Sequence, residues 1–297
     1  MRIVIAGSSG LIGTALRASY ERDGHAVVRL VRRPPRTAEE VFWDARAEAG
    51  PNPLEGADIL VNLAGAGLGD RRWTRRYREV LRHSRTGTAA ALARMAAQAD
   101  RPPAMMLSAS GIRIYGIDRR DEFLTEDSAL DTAGLLPAIA ADWEAATAPA
   151  TEAGIPVCHL RLGLVLSRHG GLFPPLVRLF RFGMGAYFAT GSEFWSYVSL
   201  TDTVRAIRFL ATHPDAAGPY NISAPDPVRN RQLIRVLARA LGRPTVLRLP
   251  QWTLRVALGG IASEVFGSLR VLPARLSEAG FEFAQPDAVS AVREALR

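Results

Sequence analysis

Three glycines, at positions 7, 10 and 13, follow an apolar run and precede a helical pattern. In a strand–turn–helix of this kind the first glycine makes a tight turn and the second lets the backbone approach a diphosphate. The third lets the helix pack closely on the strand. Free N–H groups and the helix dipole then hold the phosphates. The spacing therefore predicts a dinucleotide site, and a glycine turn without a ligand is the alternative. The predicted contact residues are Gly7, Ser9, Gly10, Leu11, Ile12 and Gly13.

The end of the second predicted strand indicates which dinucleotide is bound. An acidic residue there would bind the ribose hydroxyls of NAD and repel a 2′-phosphate. This chain has Val31-Arg32-Arg33-Pro34 instead, and a guanidinium can bind a 2′-phosphate through paired hydrogen bonds. NADP(H) bound by Arg32 is therefore the prediction. A chance surface arginine is the alternative, since all 37 basic residues of the chain are arginine.

A further strand pattern ends at Asn62-Leu63-Ala64-Gly65. Small residues at the carboxyl end of a strand let the backbone pass close to a cofactor in the crevice where ligands bind. Asn62, Ala64 and Gly65 are therefore predicted cofactor contacts, although a strand that simply ends in a glycine turn would have the same residues.

The elements that must position these residues alternate between short apolar runs and longer helical patterns. Such alternation predicts an α/β fold, a Rossmann-type doubly wound parallel sheet whose strands are covered on both faces. The predicted strands are Arg2–Ala6, Ala26–Val31, Ile59–Leu63, Met105–Ser108 and Val157–Leu162. The predicted helices are Leu11–Arg22, Arg75–Ala99 and Ala138–Glu152, the last ended by Gly154 and Pro156.

After about Leu166 glycine and proline become frequent, and regular patterning resumes only at Thr203–Thr212. We therefore expect residues 1–246 to form the dinucleotide-binding domain, with substrate-side insertions from about residue 167. Residues 247–297 are expected to form a small, helical C-terminal domain on the substrate side.

Composition excludes several classes of protein. The chain is 48% hydrophobic and 22% charged, which is typical of a globular domain. It has no apolar run near the ~20 residues of a membrane span and no signal-peptide pattern. With Cys158 as the single cysteine, no internal disulfide can form. We therefore expect a cytoplasmic protein that does not bind membranes.

The net charge of +8 does not by itself indicate nucleic-acid binding. The arginines are scattered through amphipathic segments without a nucleic-acid motif, and a cluster within residues 71–78 is interpreted as a solvated helix face. The five histidines show no metal-ligand spacing. The expected partner is a small-molecule substrate, with no nucleic acid and no metal, and the oligomeric state is left open.

Several segments resemble a known superfamily. Gly7–Gly13, Asn62–Gly65, Leu107–Ser110 and Tyr115-Gly116 resemble the short-chain dehydrogenase/reductase superfamily, in its extended or atypical branch. More narrowly, other segments are similar to the YfcH-like epimerase family and its C-terminal domain of unknown function. They are Arg72–Thr74, Ser84-Arg85, Asp142–Glu144, Leu160–Leu166, Gly170-Gly171, Gly218–Asn221, Leu272–Leu276 and Glu278–Phe281. The resemblance implies a Rossmann fold that binds NADP(H), with Ser108, Arg161 and Gly163 on the cofactor side.

The resemblance also implies a catalytic pair that this sequence lacks. Catalysis in the superfamily uses a Tyr-x-x-x-Lys pair assisted by a serine. This chain has no lysine, and the two positions fall near Leu136 and Ala140. Ser110 and Tyr115 are the candidate catalytic residues that remain. Each has a structural alternative, a turn-capping serine and an ordinary half-buried aromatic.

Two further positions separate this chain from the narrower family. Ser199 stands where the family usually has a histidine, and Arg113-Ile114 stands where it usually has Gly-Tyr. Both lie near the expected substrate side, so the substrate of relatives is not carried over. Glu144 and Arg161 either position a substrate or pair with one another.

Two functions remain in competition. The first is an NADP(H)-dependent oxidoreductase or epimerase acting on a small carbonyl, hydroxyl or nucleotide-sugar compound. The second is a non-catalytic NADP(H)-binding sensor or partner-binding protein, which the missing Tyr/Lys pair favours. A structural protein with a vestigial glycine loop is the third possibility.

Overall fold

A computed structural model of the chain describes residues 1–45, 52–188, 190–245, 247–249 and 267–297. Its strands are β1 (Arg2–Ala6), β2 (Ala26–Val31), β3 (Glu40–Phe42), β4 (Ile59–Asn62), β5 (Met105–Gly111), β6 (Phe123–Leu124), β7 (Val157–Leu162), β8 (Leu164–Leu166), β9 (Ala186–Phe188), β10 (Phe194–Trp195), β11 (Tyr197–Ser199), β12 (Gly218–Ile222), β13 (Val228–Arg229), β14 (Leu247–Leu249) and β15 (Arg270–Val271).

The helices are interleaved with these strands along the chain. They are α1 (Leu11–Arg22), α2 (Arg75–Ala97), α3 (Leu135–Ala145), α4 (Ala148–Glu152), α5 (Phe173–Arg181), α6 (Leu200–Thr212), α7 (Asn230–Ala240), α8 (Ala274–Glu278) and α9 (Ala288–Leu296). A short 3-10 helix over Ile112–Tyr115 follows β5.

Seven strands form a parallel central sheet in the order β12-β7-β5-β4-β1-β2-β3. The chain moves outward from β1 to β2 and β3, then returns to build the other half from β4. This reversal leaves a crevice at the carboxyl ends of β1 and β4, where ligands bind in doubly wound folds. The predicted fold class is confirmed.

The sheet forms because its strands are apolar on both faces and helices cover both. Ile3, Ile5 and Leu107 belong to the core beneath α1 and α6, whereas Val4 and Met106 belong to the core beneath α2. Three predicted strands have the observed bounds, and two differ by one and three residues at their ends.

The third predicted helix is interrupted. Instead of one helix over Ala138–Glu152, α3 begins earlier, at Leu135, and ends at Ala145, and α4 follows separately. The break precedes Pro149, whose ring disfavours a continuous helix and which has no N–H to donate to residue 145. Thr147 lies in the break, where its hydroxyl hydrogen-bonds the Glu144 carbonyl at 2.8 Å. Gly154 ends α4 with φ of +80°, as the sequence predicted.

The described part of the C-terminal segment, residues 267–297, contains a strand as well as helices. β15 pairs in parallel with β6, and Leu276 and Phe281 join the core beneath α1 and α6. Ala291 and Val292 of α9 pack in the cluster formed by α5 and α7. The boundary at 246/247 stays a prediction, and residues 250–266 lie outside the described part. Among the described helices, none has the length and apolarity to cross a bilayer.

Candidate functional site

The turn after β1 requires glycine at two positions. Gly7 has φ of +84°, and a Cβ there would lie 2.6 Å from the Leu63 carbonyl oxygen. At Gly13 a Cβ would lie 2.2 Å from the Gly7 carbonyl oxygen, far inside contact distance. The first glycine therefore lets the turn pack against the chain after β4, and the third lets α1 pack against the turn.

Gly10 caps the amino end of α1 in an extended conformation, and no side chain accepts a hydrogen bond from the first turn. Ser9 and Gly10 are exposed at the mouth of the crevice, with Leu11 and Ile12 half-buried behind them. A helix whose first N–H groups have no side-chain cap presents donors and a positive dipole end to an anion. The arrangement suits a diphosphate.

A cavity of about 520 Å³ opens at this turn. It extends from the ends of β1 and β2 to the loop after β4, so it covers the crevice that the sheet order creates. Its lining residues are Ala6, Gly7, Ser8, Ser9, Thr14, Arg17, Arg29, Leu30, Val31, Arg32, Arg33, Glu40, Trp43, Ala64, Gly65, Ala66, Ser84 and Thr88.

The arginines at the β2 end of the cavity differ in what they contact. Arg33 donates two hydrogen bonds of 2.7 Å to the Glu40 carboxylate, and Arg29 lies 3.1 Å from the same group. The hydrogen bonds from Arg33 and from the Arg36 N–H lower the pKa of Glu40 to about 2. Arg32 is exposed and makes no hydrogen bond or ion pair with any described residue. It is therefore free to bind a ligand.

The predicted residues after β4 separate into two groups. Ala64 and Gly65 line the cavity, as a cofactor contact requires. Asn62 is fully buried, with its Nδ2 donating to the Ser108 hydroxyl at 3.2 Å and its Oδ1 accepting from the Ala64 N–H at 3.2 Å. Ser108 is also fully buried. Asn62 and Ser108 thus shape the loop from inside the sheet and do not line the cavity.

Polar side chains at the ends of β5 and β7 form a buried network. Ser110 donates a hydrogen bond of 2.7 Å to Glu144 of α3, and Arg161 binds the same carboxylate through two bonds of 2.9 Å. Burial lowers the pKa of Arg161, but the hydrogen bonds and charge of Glu144 outweigh that effect, so the pKa is raised overall. Glu144 and Arg161 therefore pair with one another, one of the two alternatives for these residues.

Tyr115 extends this network into the core. It is completely buried, donates to Asn221 Oδ1 at 2.8 Å, and accepts from Arg161 Nη1 at 2.8 Å. Burial raises the pKa of its phenol, with partial opposition from Arg161. A phenol held in this way has no hydrogen left for a substrate, so its catalytic role stays a prediction that this geometry does not favour.

The positions of the superfamily pair carry no titratable group. Leu136 packs with Trp73, Tyr77 and Leu81, and Ala140 packs around Tyr115. Gly163 lies where β7 leads into β8, and a Cβ there would be 2.8 Å from the Ser196 carbonyl oxygen. Its observed role is close packing. The described residues contain no group of three potential metal ligands.

Sequence reasoning missed the importance of three residues. Glu40 pairs with Arg29 of the neighbouring strand β2 and with Arg33 just after it, and the register places Glu40 opposite Arg29. Asn221 and Arg85 were noted only as parts of similar motifs. Asn221 ends the Tyr115 network, and Arg85 contacts the Ala66 carbonyl oxygen at 2.9 Å. No local sequence pattern indicates any of these contacts.

A parallel sheet with a glycine turn and an open cavity at its reversal point defines a dinucleotide-binding, Rossmann-type protein. The sequence model of the NAD dependent epimerase/dehydratase family matches residues 3–223, and that of a domain of unknown function, DUF1731, matches residues 249–295. The chain belongs to the NAD dependent epimerase/dehydratase family, as the resemblance of its motifs implied.

The chain is 39% identical to an epimerase family protein of Mycobacterium tuberculosis, over 95% of this chain and 93% of that protein. The crystal structure of human epimerase family protein SDR39U1 with NADPH superposes with a TM-score of 0.92, at 26% identity, covering 99% of both chains. A nucleoside-diphosphate sugar epimerase from Corynebacterium glutamicum superposes at 0.82, with 32% identity, 99% of this chain and 58% of that one.

Proposed function

We propose that the chain is an NADP(H)-dependent oxidoreductase or epimerase acting on a small carbonyl, hydroxyl or nucleotide-sugar compound. The observation that supports this proposal most strongly is the difference in ion pairing among the arginines at the end of β2. Arg29 and Arg33 both pair with Glu40, whereas Arg32 presents an unpaired guanidinium at the cavity within the described part of the chain. A site built for the bare ribose of NAD would gain nothing from an exposed cation there.

Two similar proteins support this assignment. The human protein was crystallised with NADPH, and the Corynebacterium glutamicum protein carries the name of a nucleoside-diphosphate sugar epimerase. The cofactor and substrate class proposed here agree with those descriptions.

Different residues of the chain would bind the two anionic parts of NADP(H). The N–H groups at the start of α1 bind the diphosphate, and Arg32 binds the 2′-phosphate. Bound NADP(H) supplies or accepts a hydride. The Ser110 hydroxyl is buried and its hydrogen is directed at Glu144, so in this geometry it has no hydrogen to donate to a substrate. A chemical role for Ser110 therefore stays a prediction.

A non-catalytic NADP(H)-binding protein is the second candidate. It is favoured by the apolar residues Leu136 and Ala140 and by the buried, fully hydrogen-bonded Tyr115. Turnover of NADPH with a panel of ketones, aldehydes and nucleotide sugars separates the two candidates. A Ser110→Ala, Tyr115→Phe double variant with unchanged turnover would remove both residues as chemical groups.

Fluorescence or calorimetric titration with NADPH and NADH tests the cofactor assignment. We expect Arg32→Ala to weaken NADPH about 10- to 100-fold, because a charge-assisted hydrogen bond is worth about 1.5–3 kcal/mol. The affinity for NADH should not change. Arg36→Ala is the matched control, since Arg36 is exposed nearby but does not line the cavity. Equal wild-type affinities for NADH and NADPH would overturn the assignment of NADP(H).

A further inference from the structure

The helices α5 and α7 come from two stretches of sequence that contain no acidic residue. No Asp or Glu occurs between Glu152 and Glu193, or between Asp226 and Glu264. The two helices and the loop after α7 carry six exposed arginines, here called the arginine face: Arg178, Arg181, Arg231, Arg235, Arg239 and Arg243. None of the six forms an ion pair with a described residue. A face of one charge sign attracts anionic partners, whereas an ordinary solvated surface mixes both signs.

The carboxyl ends of α5 and α7 lie side by side. The buried faces of both helices belong to one apolar cluster, which includes Phe180 of α5 and Leu237 of α7. The strands that follow the two helices, β9 and β14, pair in parallel. A Cβ on Gly185 would lie 2.8 Å from the Pro244 carbonyl oxygen, so the two intervening loops touch. The arginines of both helices are therefore brought together at this end.

Exposed apolar side chains occupy the loop after α5. Phe182 is 72% exposed, the largest fraction among the large hydrophobic residues that the structure describes, and Met184 is 47% exposed. Leu172, just before α5, is exposed as well. A single exposed apolar residue is ordinary, but apolar side chains beside unpaired cations are typical of a surface that contacts another body.

Helix capping explains only some of these arginines. Arg181 of α5 and Arg239 of α7 lie in the last turns of their helices, where a cation offsets the negative end of the dipole. Arg231 lies in the first turn of α7, where a cation is unfavourable, and Arg235 lies in the middle. Arg231, Arg235 and Arg239 recur every four residues, so they follow one line along the helix. This line, and the exposure of Phe182, are left for a binding role.

We propose that the arginine face, together with Phe182 and Met184, binds the surface of an anionic phospholipid membrane. Guanidinium groups pair with lipid phosphates, and the two apolar side chains enter the boundary between headgroups and acyl chains. A single-stranded nucleic acid would also attract the arginines, but Met184 has no ring to stack on a base. The expectation of no membrane contact rested on the lack of a spanning segment, which a peripheral surface does not need.

This inference is independent of the cofactor. The arginine face, Phe182 and Met184 do not line the dinucleotide cavity, which lies at the ends of β1 and β2 and the loop after β4. Membrane binding and NADP(H) binding therefore use separate residues, and a change in one face should leave the other intact.

The experiment measures sedimentation of the full chain with vesicles of phosphatidylcholine, with and without phosphatidylglycerol. We expect the wild type to bind only the vesicles that contain phosphatidylglycerol, and more weakly as salt is added. The double variant Arg235→Gln, Arg239→Gln should bind about tenfold more weakly or worse, because each arginine near an anionic surface adds to the attraction. Phe182→Ser should also lose about tenfold, because the ring no longer enters the boundary.

The matched control is the double variant Arg22→Gln, Arg94→Gln, which removes the same charge from exposed positions on α1 and α2. Its vesicle affinity should stay close to that of the wild type. Thermal unfolding checks that every variant folds, as expected for exposed side chains. The affinity for NADPH should be the same in all of them.

Four results would overturn the inference, and all of them leave the proposed function intact. The first is no binding to either kind of vesicle, or equal binding to both. The second is an equal loss in the control and in Arg235→Gln, Arg239→Gln, which would assign binding to net charge alone. The third is unchanged binding by Phe182→Ser. The fourth is tighter binding of single-stranded polyuridylate than of vesicles, which would make nucleic acid the ligand of the arginine face.

Discussion

The two polar regions at the carboxyl edge of the sheet differ in how many of their hydrogen-bonding groups are already used. Around the glycine turn, the first N–H groups of α1 lack a side-chain cap and Arg32 has no partner among the described residues. Around Glu144, by contrast, Ser110, Arg161 and Tyr115 donate to one another or to neighbours within 2.9 Å. The first region is open to a ligand, and the second is closed by its own contacts.

This difference separates ligand binding from structural support. A site that must take up an anion keeps unpaired donors at a cavity, whereas a network whose groups are mutually satisfied mainly holds elements together. The Glu144 network joins α3, β5, β7 and, through Asn221, β12. We therefore expect its substitution to affect stability first, and substitution at the glycine turn to affect binding first.

The largest expected effect is on stability, from Arg161→Met. Removing one member of a buried ion pair leaves the other uncompensated, at a cost of about 3–5 kcal/mol. Urea unfolding should show this loss for Arg161→Met, and the double variant Glu144→Gln, Arg161→Met should recover part of it. A loss below about 1 kcal/mol, the value of an exposed pair, would show that the network does not support the fold.

The next effect is on binding, from Gly13→Ala. Its Cβ would lie 2.2 Å from the Gly7 carbonyl oxygen, so the turn must move. Overpacking of this kind costs about 1–3 kcal/mol, and we expect NADPH affinity to fall about tenfold or more. In Gly87→Ala, the control within α2, the nearest atom to the new Cβ is 3.9 Å away. That helix position should be stabilised by about 0.5–1 kcal/mol. Full NADPH affinity in Gly13→Ala would contradict the role of the turn.

Tyr115→Phe should lower stability by about 1–3 kcal/mol without changing NADPH affinity, because Arg161 and Asn221 each lose a buried partner. Tyr20→Phe is the matched control. The Tyr20 hydroxyl is buried without a hydrogen-bond partner in the described structure, and burial raises its pKa to about 12. Its removal should be neutral or stabilising. If Tyr115→Phe weakened NADPH binding as well, the two regions would be coupled.

The smallest effect is in the pH dependence of stability, which should have opposite signs in the two regions. Hydrogen bonds from Arg33 lower the pKa of Glu40 from 4.5 to about 2, so its contribution is present above pH 4.5 and lost as pH falls towards 2. Burial raises the pKa of Glu126, which accepts from the Asn221 N–H. Its contribution is present below pH 4.5 and lost as pH rises through the raised pKa.

The free energy of unfolding of Glu40→Gln and of Glu126→Gln, each compared with that of the wild type as the pH is varied, measures both pH dependences. The wild-type advantage over Glu40→Gln should shrink in acid. Relative to Glu126→Gln, the wild type should gain stability in acid. The same sign for both would mean that the two carboxylates share one environment.

Much of the fold could be predicted from the sequence because it depends on local pattern. Apolar runs covered on both faces gave strands such as β1 and β7 their observed bounds, and α1 matched its prediction at both ends. The helix over 138–152 was wrong in its continuity, because the effect of Pro149 was not weighed against the long apolar pattern. The strand β15 was missed because two residues carry no periodicity.

The sequence by itself determined the glycine turn, since Gly7 and Gly13 are required by contacts between neighbours along the chain and the adjoining strand end. It also determined that no Tyr/Lys pair can form, because the chain contains no lysine. Only the tertiary structure decided which arginines are free. Glu40 reaches Arg29 through strand register, and Glu144 reaches Arg161 across the gap between a helix and the sheet. Charge pairing depends on distance in space, and sequence spacing does not specify that distance.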